Sequence, residues 1–326
     1  MELTDKKIVV IGGAGFVGSY IVEQLIDQPV REVVVFDNLV RGNMKNISSA
    51  LERSDRTHFV KGTICDRGAL EHELRGADGV FLLSALWLGE CVADPRSAID
   101  VNVLGTFNVI EACLNAGVQR IVYSSSASVY GDALTKPMTE EHPFNNRTMY
   151  GATKIAGEQF FRAIFDQHQL PYIGMRYMNI YGPRMDYKGT YTTVIMKVLD
   201  RLELGLPPLI FGDGSQSYDF VHVADVARAN ILGMLSDETD QFFNIGSGQE
   251  TTINQLVDTL LEITQSDLRP EYSPETQMFV KHRMGSTEKA RNLLGFSATA
   301  CLREGLESVV EWRAQDQTVD SSAPIA

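Results

Sequence analysis

Residues 7–18, KIVVIGGAGFVG, decide the fold class. Lys7 to Ile11 is a short β-branched run that reads as a buried strand. Gly12, Gly13, Gly15 and Gly18 punctuate the turn, after which Val17, Tyr20, Ile21 and Leu25 recur at helical spacing. Glycines there allow a tight turn and let backbone amides touch a pyrophosphate, whose charge the start of the helix favours. Asp37 lies 22 residues after Gly15, at the end of a second buried strand, EVVVF at 32–36. A carboxylate in that place accepts hydrogen bonds from adenosine ribose hydroxyls and repels a 2′-phosphate. The stretch therefore predicts a dinucleotide site for NAD rather than NADP, with Arg41 a nearby positive charge that weakens the discrimination.

Further along, apolar runs at 79–83, 120–124, 171–175 and 242–245 read as strands. Residues 98–116 form a long amphipathic segment stopped by Gly117, and 193–203, 253–264 and 287–294 carry helical spacing. Strands alternating with helices predict an α/β chain with a Rossmann-type, doubly wound parallel sheet and right-handed crossovers. The residues after 178 are less regular and predict a smaller C-terminal α/β domain. The expected division is 1–178 and 179–326, with 215–240 returning to the first domain. Residues 314–326 are polar and aperiodic and read as a frayed tail.

The chain has 326 residues, 44% apolar and 22% charged, which excludes wholesale disorder and coiled coil. Its net charge of −13 disfavours nucleic acid and anionic membrane, so any bound phosphate needs a local site. Cys65, Cys91, Cys113 and Cys301 are scattered without paired spacing, and the six histidines show no ligand pattern. Free buried thiols and no metal site are expected. There is no signal-like core at the N-terminus and no apolar run near the ~20 residues of a membrane span, so a soluble cytoplasmic protein is expected.

Chemistry enters with SSSASVYG at 124–131, which follows a strand and so faces the crevice beyond the sheet's carboxyl edge. Tyr150 and Lys154 follow at i and i+4, on one helix face. A free phenol, with a pKa near ~10, is too weakly acidic to serve as a base at neutral pH. A neighbouring ammonium and a positive nicotinamide ring favour the phenolate, which can then take a proton from a sugar hydroxyl.

These residues resemble the extended short-chain dehydrogenase/reductase superfamily, in its NAD-dependent sugar-nucleotide epimerase/dehydratase branch. The resemblance spans about residues 7–306. It is carried by GGAGFVG (12–18), Asp37-Asn38, NVLGT (102–106), SSSASVYG (124–131), Tyr150 with Lys154, RYMNIYGPR (176–184), GDGSQSYDFVHVADVA (212–227), FNIGSG (243–248) and EKARNLLGF (288–296). It implies that Tyr150 is base and acid, that Lys154 lowers its pKa and holds the nicotinamide ribose, and that Ser126 bonds the reacting oxygen. Gly12, Gly15, Phe16, Val17, Gly18, Asp37, Asn38, Thr63, Ile64, Leu83, Ser84, Ala85, Asn102, Ser124 and Tyr177 would border the cofactor, NAD. Asn179 would contact the substrate phosphates, Phe211 would stack on the base, and Arg283 would pair with the diphosphate. The C-terminal domain would close over a nucleotide sugar, with a UDP-sugar favoured. Family habit also implies a homodimer through 98–116 and 148–167.

Three departures shape the expected reaction. Ala127 and Ser128 stand where dehydratases carry an acidic pair and decarboxylases usually carry a glutamate at the second place. Epimerisation at C4 through a transient 4-keto sugar is what remains. Tyr218 replaces the usual phosphate-binding arginine, leaving Arg184, Lys188 or Arg283 to compensate. Thr63 replaces an aspartate that commonly bonds adenine. Trp87 is an unusual residue for the sugar pocket, there to narrow it or stack on the sugar. His222 and Asp225 are expected to serve structure. The rival functions are a nucleotide-sugar oxidoreductase or ketoreductase, or a dehydratase, on the same triad, and more remotely a catalytically silent NAD-binding regulator.

Overall fold

The computed structural model describes residues 1–186, 193–274 and 280–321. Seven strands form its main sheet: β1 (Lys7–Ile11), β2 (Glu32–Asp37), β3 (Thr57–Lys61), β4 (Gly79–Leu82), β5 (Arg120–Ser126), β6 (Tyr172–Tyr177) and β7 (Gln241–Ile245). Their order is β3-β2-β1-β4-β5-β6-β7, and every pairing is parallel. The order reverses between β1 and β4, which opens a crevice at their carboxyl ends. Alternate residues of each strand face opposite sides. Ile8, Val10, Val33 and Val35 join the core under α1 (Phe16–Ile26), while Val9, Ile11, Val34 and Phe36 join the other.

The second face is covered in part by α3 (Thr106–Ala116) and α4 (Met149–His168), and α2 (Leu88–Ala93) packs against α4. The first is covered by α1 and α5 (Val223–Leu235), whose Val226, Ala227 and Met234 are buried. A third apolar cluster lies beyond the sheet. It gathers Ile195 and Leu199 from Val194–Glu203, Leu256 and Leu260 from Ile253–Ile263, and Leu306 and Val309 from α6 (Leu302–Ser321).

Several expectations need correction. Strand β3 was invisible because it is an edge strand with alternating polar residues. Residues 98–116 are helical, yet Ile99–Gly105 is a π-helical turn. That wider turn directs Asn102 inward, and it seats Gly105 where a Cβ would lie 2.7 Å from Ile64. Pro95–Ala116 is also, by length and composition alone, apolar enough to cross a membrane. It is instead packed on the sheet through Val109, Ile110 and Cys113. The expected tail at 314–326 is helical as far as Ser321, and 322–326 lie outside the described residues. Apolar periodicity missed this helix because its inner face includes Arg313, which is buried and bonded to Asp200 and Glu203 at 2.6 Å each. Of the four free thiols, Cys91 and Cys113 are buried but Cys65 and Cys301 are exposed. No metal-ligating cluster occurs among the described residues.

Candidate active site

The turn between β1 and α1 is built by close backbone approach. Gly12 has φ +83°, and a Cβ there would stand 2.8 Å from the Ser84 nitrogen. A Cβ on Gly18 would meet the Gly12 oxygen at 2.2 Å. Gly15 begins the helix in extended conformation with no side-chain cap. The first-turn amides of an 11-residue helix therefore face the crevice without a side-chain acceptor, which suits a bound diphosphate. Asp37 is 6% exposed, and its carboxylate accepts from Ala14 N at 3.1 Å and Leu39 N at 2.8 Å. It thus holds the glycine turn and the following loop, while burial raises its pKa against those bonds.

One cavity of about 580 Å³ runs from this turn to the carboxyl ends of β5 and β6, a size in the range of cofactor and ligand sites. Gly12, Gly15, Phe16, Val17, Gly18, Leu83, Ala85, Trp87, Ser124, Tyr150, Lys154 and Tyr177 all line it. Tyr150 reaches it from the first turn of α4, where Thr148 Oγ1 caps the helix by accepting from Gly151 N at 3.0 Å. Ser126 lies outside the lining but hydrogen-bonds the Tyr150 side chain, and its Oγ accepts from Ser128 N at 3.1 Å. Lys154 Nζ donates to the Ser124 carbonyl at 2.7 Å and stands 5.7 Å from the centre of the Tyr150 ring. The Tyr177 hydroxyl donates to Asn230 at 2.8 Å and meets Ser124 Oγ at 2.9 Å.

The expected lowering of Tyr150 draws on Lys154 and the positive nicotinamide ring together. In the polypeptide itself burial dominates and pushes Tyr150 up to about 12, with Ser126, Arg283 and Arg41 pulling the other way. Burial also pulls Lys154 down to about 8. A buried ammonium bonded to one carbonyl costs stability. Between pH 8 and the ordinary value of 10.5 the unfolded chain holds a proton that the folded chain has released, so stability from this group rises with pH across that window. Lys154→Met is accordingly expected to raise the melting temperature at pH 7 and to flatten its rise between pH 8 and 10, while abolishing turnover. Calorimetry at both pH values checks this, and an unchanged or lower melting temperature at pH 7 would sink it.

Other expected site residues sit elsewhere. Asn102 turns away from the cavity and clamps the Leu86 backbone, accepting from its N at 2.7 Å and donating to its O at 2.9 Å, with Thr153 Oγ1 at 3.1 Å. Asn38 caps its own loop through Val40 N, Thr63 Oγ1 accepts from Cys65 N, Ile64 packs against Gly105, and Ser84 presents its backbone to Gly12. Asn179 is half-buried in a short strand bonded to Asp219 O, and Phe211 is exposed on another strand. The Tyr218 hydroxyl donates to Val280 O at 2.9 Å, so it is already engaged. Arg283 lines a separate recess of about 70 Å³ with Ser128, Asn146 and Arg147, and its buried Nε has no hydrogen-bond partner among the described residues. Lys188, expected to compensate for Tyr218, lies outside the described residues. His222 and Asp225 hold structure: His222 caps α5, and Asp225 accepts from Thr299 N at 2.9 Å and Ala300 N at 3.0 Å.

The cavity also draws on residues that sequence reasoning did not assign to it. Asn43, Lys45 and Asn46 come from the loop after β2, Met185 and Asp186 from the stretch after the strand Asn179–Tyr181, and Trp312 and Asp316 from α6, while Arg184, expected to compensate for Tyr218, lines the cavity as well. Arg41 lines it too. Its guanidinium is committed to Asp186 at 2.9 Å, to Glu90 at 3.6 Å and to the Trp87 ring at 4.4 Å.

Comparison with known proteins agrees with this geometry. The profile described as "NAD dependent epimerase/dehydratase family" matches residues 8–246. The UDP-glucose 4-epimerase of Mycolicibacterium smegmatis is 33% identical over 309 residues, 94% of this chain and 98% of that protein. The dTDP-glucose 4,6-dehydratase of an Actinoplanes species is 30% identical, covering 94% and 97%. Among solved structures, the UDP-N-acetylglucosamine 4-epimerase of Methanobrevibacter ruminantium, in complex with UDP-N-acetylmuramic acid, superposes with a TM-score of 0.90 at 32% identity, covering 96% of this chain and 99% of that one.

Proposed function

We propose, since this chain belongs to the NAD-dependent epimerase/dehydratase family, that it is a nucleotide-sugar 4-epimerase acting on a UDP-sugar. NAD is the cofactor, and the bare glycine turn with its uncapped helix start fits its diphosphate. When bound, NAD supplies reversible hydride acceptance at C4 and a positive ring beside Tyr150. This chain's residues do the rest. Tyr150 Oη takes the C4 hydroxyl proton and later returns it, Ser126 holds that hydroxyl in line, and Lys154, anchored on the Ser124 carbonyl, supplies the adjacent positive charge.

One observation carries epimerisation over dehydration. Removing water from the sugar needs a second acid and base. Ala127 and Ser128, which follow Ser126, are small, buried and unable to take that part.

Residues 1–178 and 215–240, together with β7, would then carry NAD, and the remainder would cover the sugar nucleotide, with Trp87, Asn179 and Arg283 around it. A cytoplasmic homodimer is part of the same reading. Leu104 and Phe107, exposed along the helix at 95–116, and the adjoining α4 offer the surface for it.

The test is incubation with UDP-, dTDP-, GDP- and CDP-sugars, followed by NMR of the products. Inversion at C4 of a UDP-sugar with no net NADH is expected. A 4-keto-6-deoxy product would make the protein a dehydratase, and net NADH formation or consumption would make it an oxidoreductase.

A further inference from the structure

Arg41 departs from the expectation set by its place in the sequence. A basic residue four positions after Asp37 stands where it can meet a 2′-phosphate. In the structure its side chain lines the cavity. There Nη2 donates to Asp186 Oδ2 at 2.9 Å, Nη1 stands 3.6 Å from Glu90 Oε2, and the guanidinium lies 4.4 Å over the Trp87 ring. The Glu90 carboxylate is itself fixed, because it accepts from Trp87 N at 2.9 Å at the start of α2.

Three segments far apart in the chain therefore meet at one side chain. They are the loop after β2, the start of α2, and the stretch beyond the strand Asn179–Tyr181. Arg41, Trp87 and Asp186 all line the same cavity as the glycine turn and Tyr150. Arg41 is also close enough for its charge to act on the Tyr150 hydroxyl, so it reaches from the cofactor loop to the reacting centre. An arginine suits this position, since its planar group can hold a carboxylate along one edge while stacking on an indole.

We propose that Arg41 is a strap across the dinucleotide site, which retains bound NAD through its contacts with Asp186, Glu90 and Trp87 and does not read the 2′ position of the ribose. A nucleotide lying between the glycine turn and Tyr150 is released only when those contacts open. An enzyme that takes a hydride and returns it to the same molecule needs such retention, because cofactor lost in mid-cycle leaves a keto sugar behind. The proposal rests on NAD being the cofactor and not on the sugar reaction.

The experiment loads the full-length protein with NADH and displaces it with excess NAD, following the loss of NADH fluorescence by stopped flow. Arg41→Ala is expected to speed release about 10- to 100-fold, the combined loss of a charge-assisted hydrogen bond and a cation–π contact. Asp186→Asn is expected to speed it several-fold, and Arg41→Lys to fall between the parent and Arg41→Ala. Arg53→Ala removes an exposed pair with Asp27 at 3.1 Å, away from the cavity, and should match the parent. Release from Arg41→Ala within twofold of the parent overturns the proposal. So does a loss of NADPH affinity in that variant with NADH release unchanged, which would make Arg41 a reader of the 2′-phosphate. If Arg41→Ala does not fold, Asp186→Asn decides in the same assay, and an unchanged rate overturns the proposal. No sugar is present, so either result leaves the epimerase reading to its own test.

Discussion

Tyr150→Phe should lower kcat by about 10²- to 10⁴-fold, the range for loss of a positioned proton-transfer group, while the purified protein keeps its bound NAD. The ring stays in place because its position depends on the Thr148 cap and the first turn of α4, not on the hydroxyl. Only the hydroxyl that Ser126 holds is removed. The two readouts separate chemistry from folding: turnover on the UDP-sugar identified by NMR, and nucleotide released on denaturation. A variant that turns over at the parental rate would assign the proton transfer to another group. A variant that has lost NAD would show that the hydroxyl is structural.

Loss of Glu158 should be the most destabilising single change near the site. Glu158 and Arg176 are 1% and 5% exposed at the side chain and form a two-pronged pair, Nη2 to Oε2 at 2.7 Å and Nε to Oε1 at 2.9 Å. Ser125 Oγ also donates to Glu158, and Arg176 Nη1 donates to Tyr130 Oη and to the Glu140 carbonyl, each at 2.8 Å. The pair joins α4 to β5 and β6 directly beneath the catalytic turn. Such a pair adds little over a well-packed apolar substitute, but removing one partner strands the other charge out of water. Glu158→Ala is expected to cost about 3–5 kcal/mol, a large part of the 5–15 kcal/mol typical of a folded protein. Urea unfolding followed by the emission of Trp87 and Trp312 measures it. A loss below about 1 kcal/mol would mean that water reaches Arg176.

The sheet was legible because its strands are buried on both faces and therefore read as continuous β-branched runs. β1, β2, β4, β5, β6 and β7 each appear within a residue or two of their expected places. β3 escaped because only half of it is covered. The cofactor turn and the Tyr150–Lys154 face were legible for a different reason: they lie within single local stretches whose geometry follows from spacing. What spacing does not carry is the partner across the fold. Nothing in the run from Asp37 to Gly42 says that Arg41 will meet Asp186, 145 positions later. Nothing near Asn102 says that it will clamp Leu86 rather than face a ligand. The sequence reveals the ammonium beside Tyr150 but not the depth of its burial, which in the polypeptide alone is the larger effect.

The path of the chain sets a limit on how this protein can be divided. It leaves the sheet after β6, builds part of the third apolar cluster with Ile195 and Ile210, and returns for α5 and β7. It leaves again for Ile253–Ile263, comes back as Glu288–Leu294 to rest Ala290 and Leu294 on the sheet's core, and ends in α6 on the third cluster. No single cut separates a nucleotide-carrying piece from a sugar-covering piece. A truncation anywhere between residues 178 and 288 takes β7 or the supporting helix Glu288–Leu294 from the sheet as well as material from the cover. Swapping substrate preference between relatives by exchanging C-terminal halves would therefore tear the sheet. Transplanting individual loops at the crevice would leave it whole.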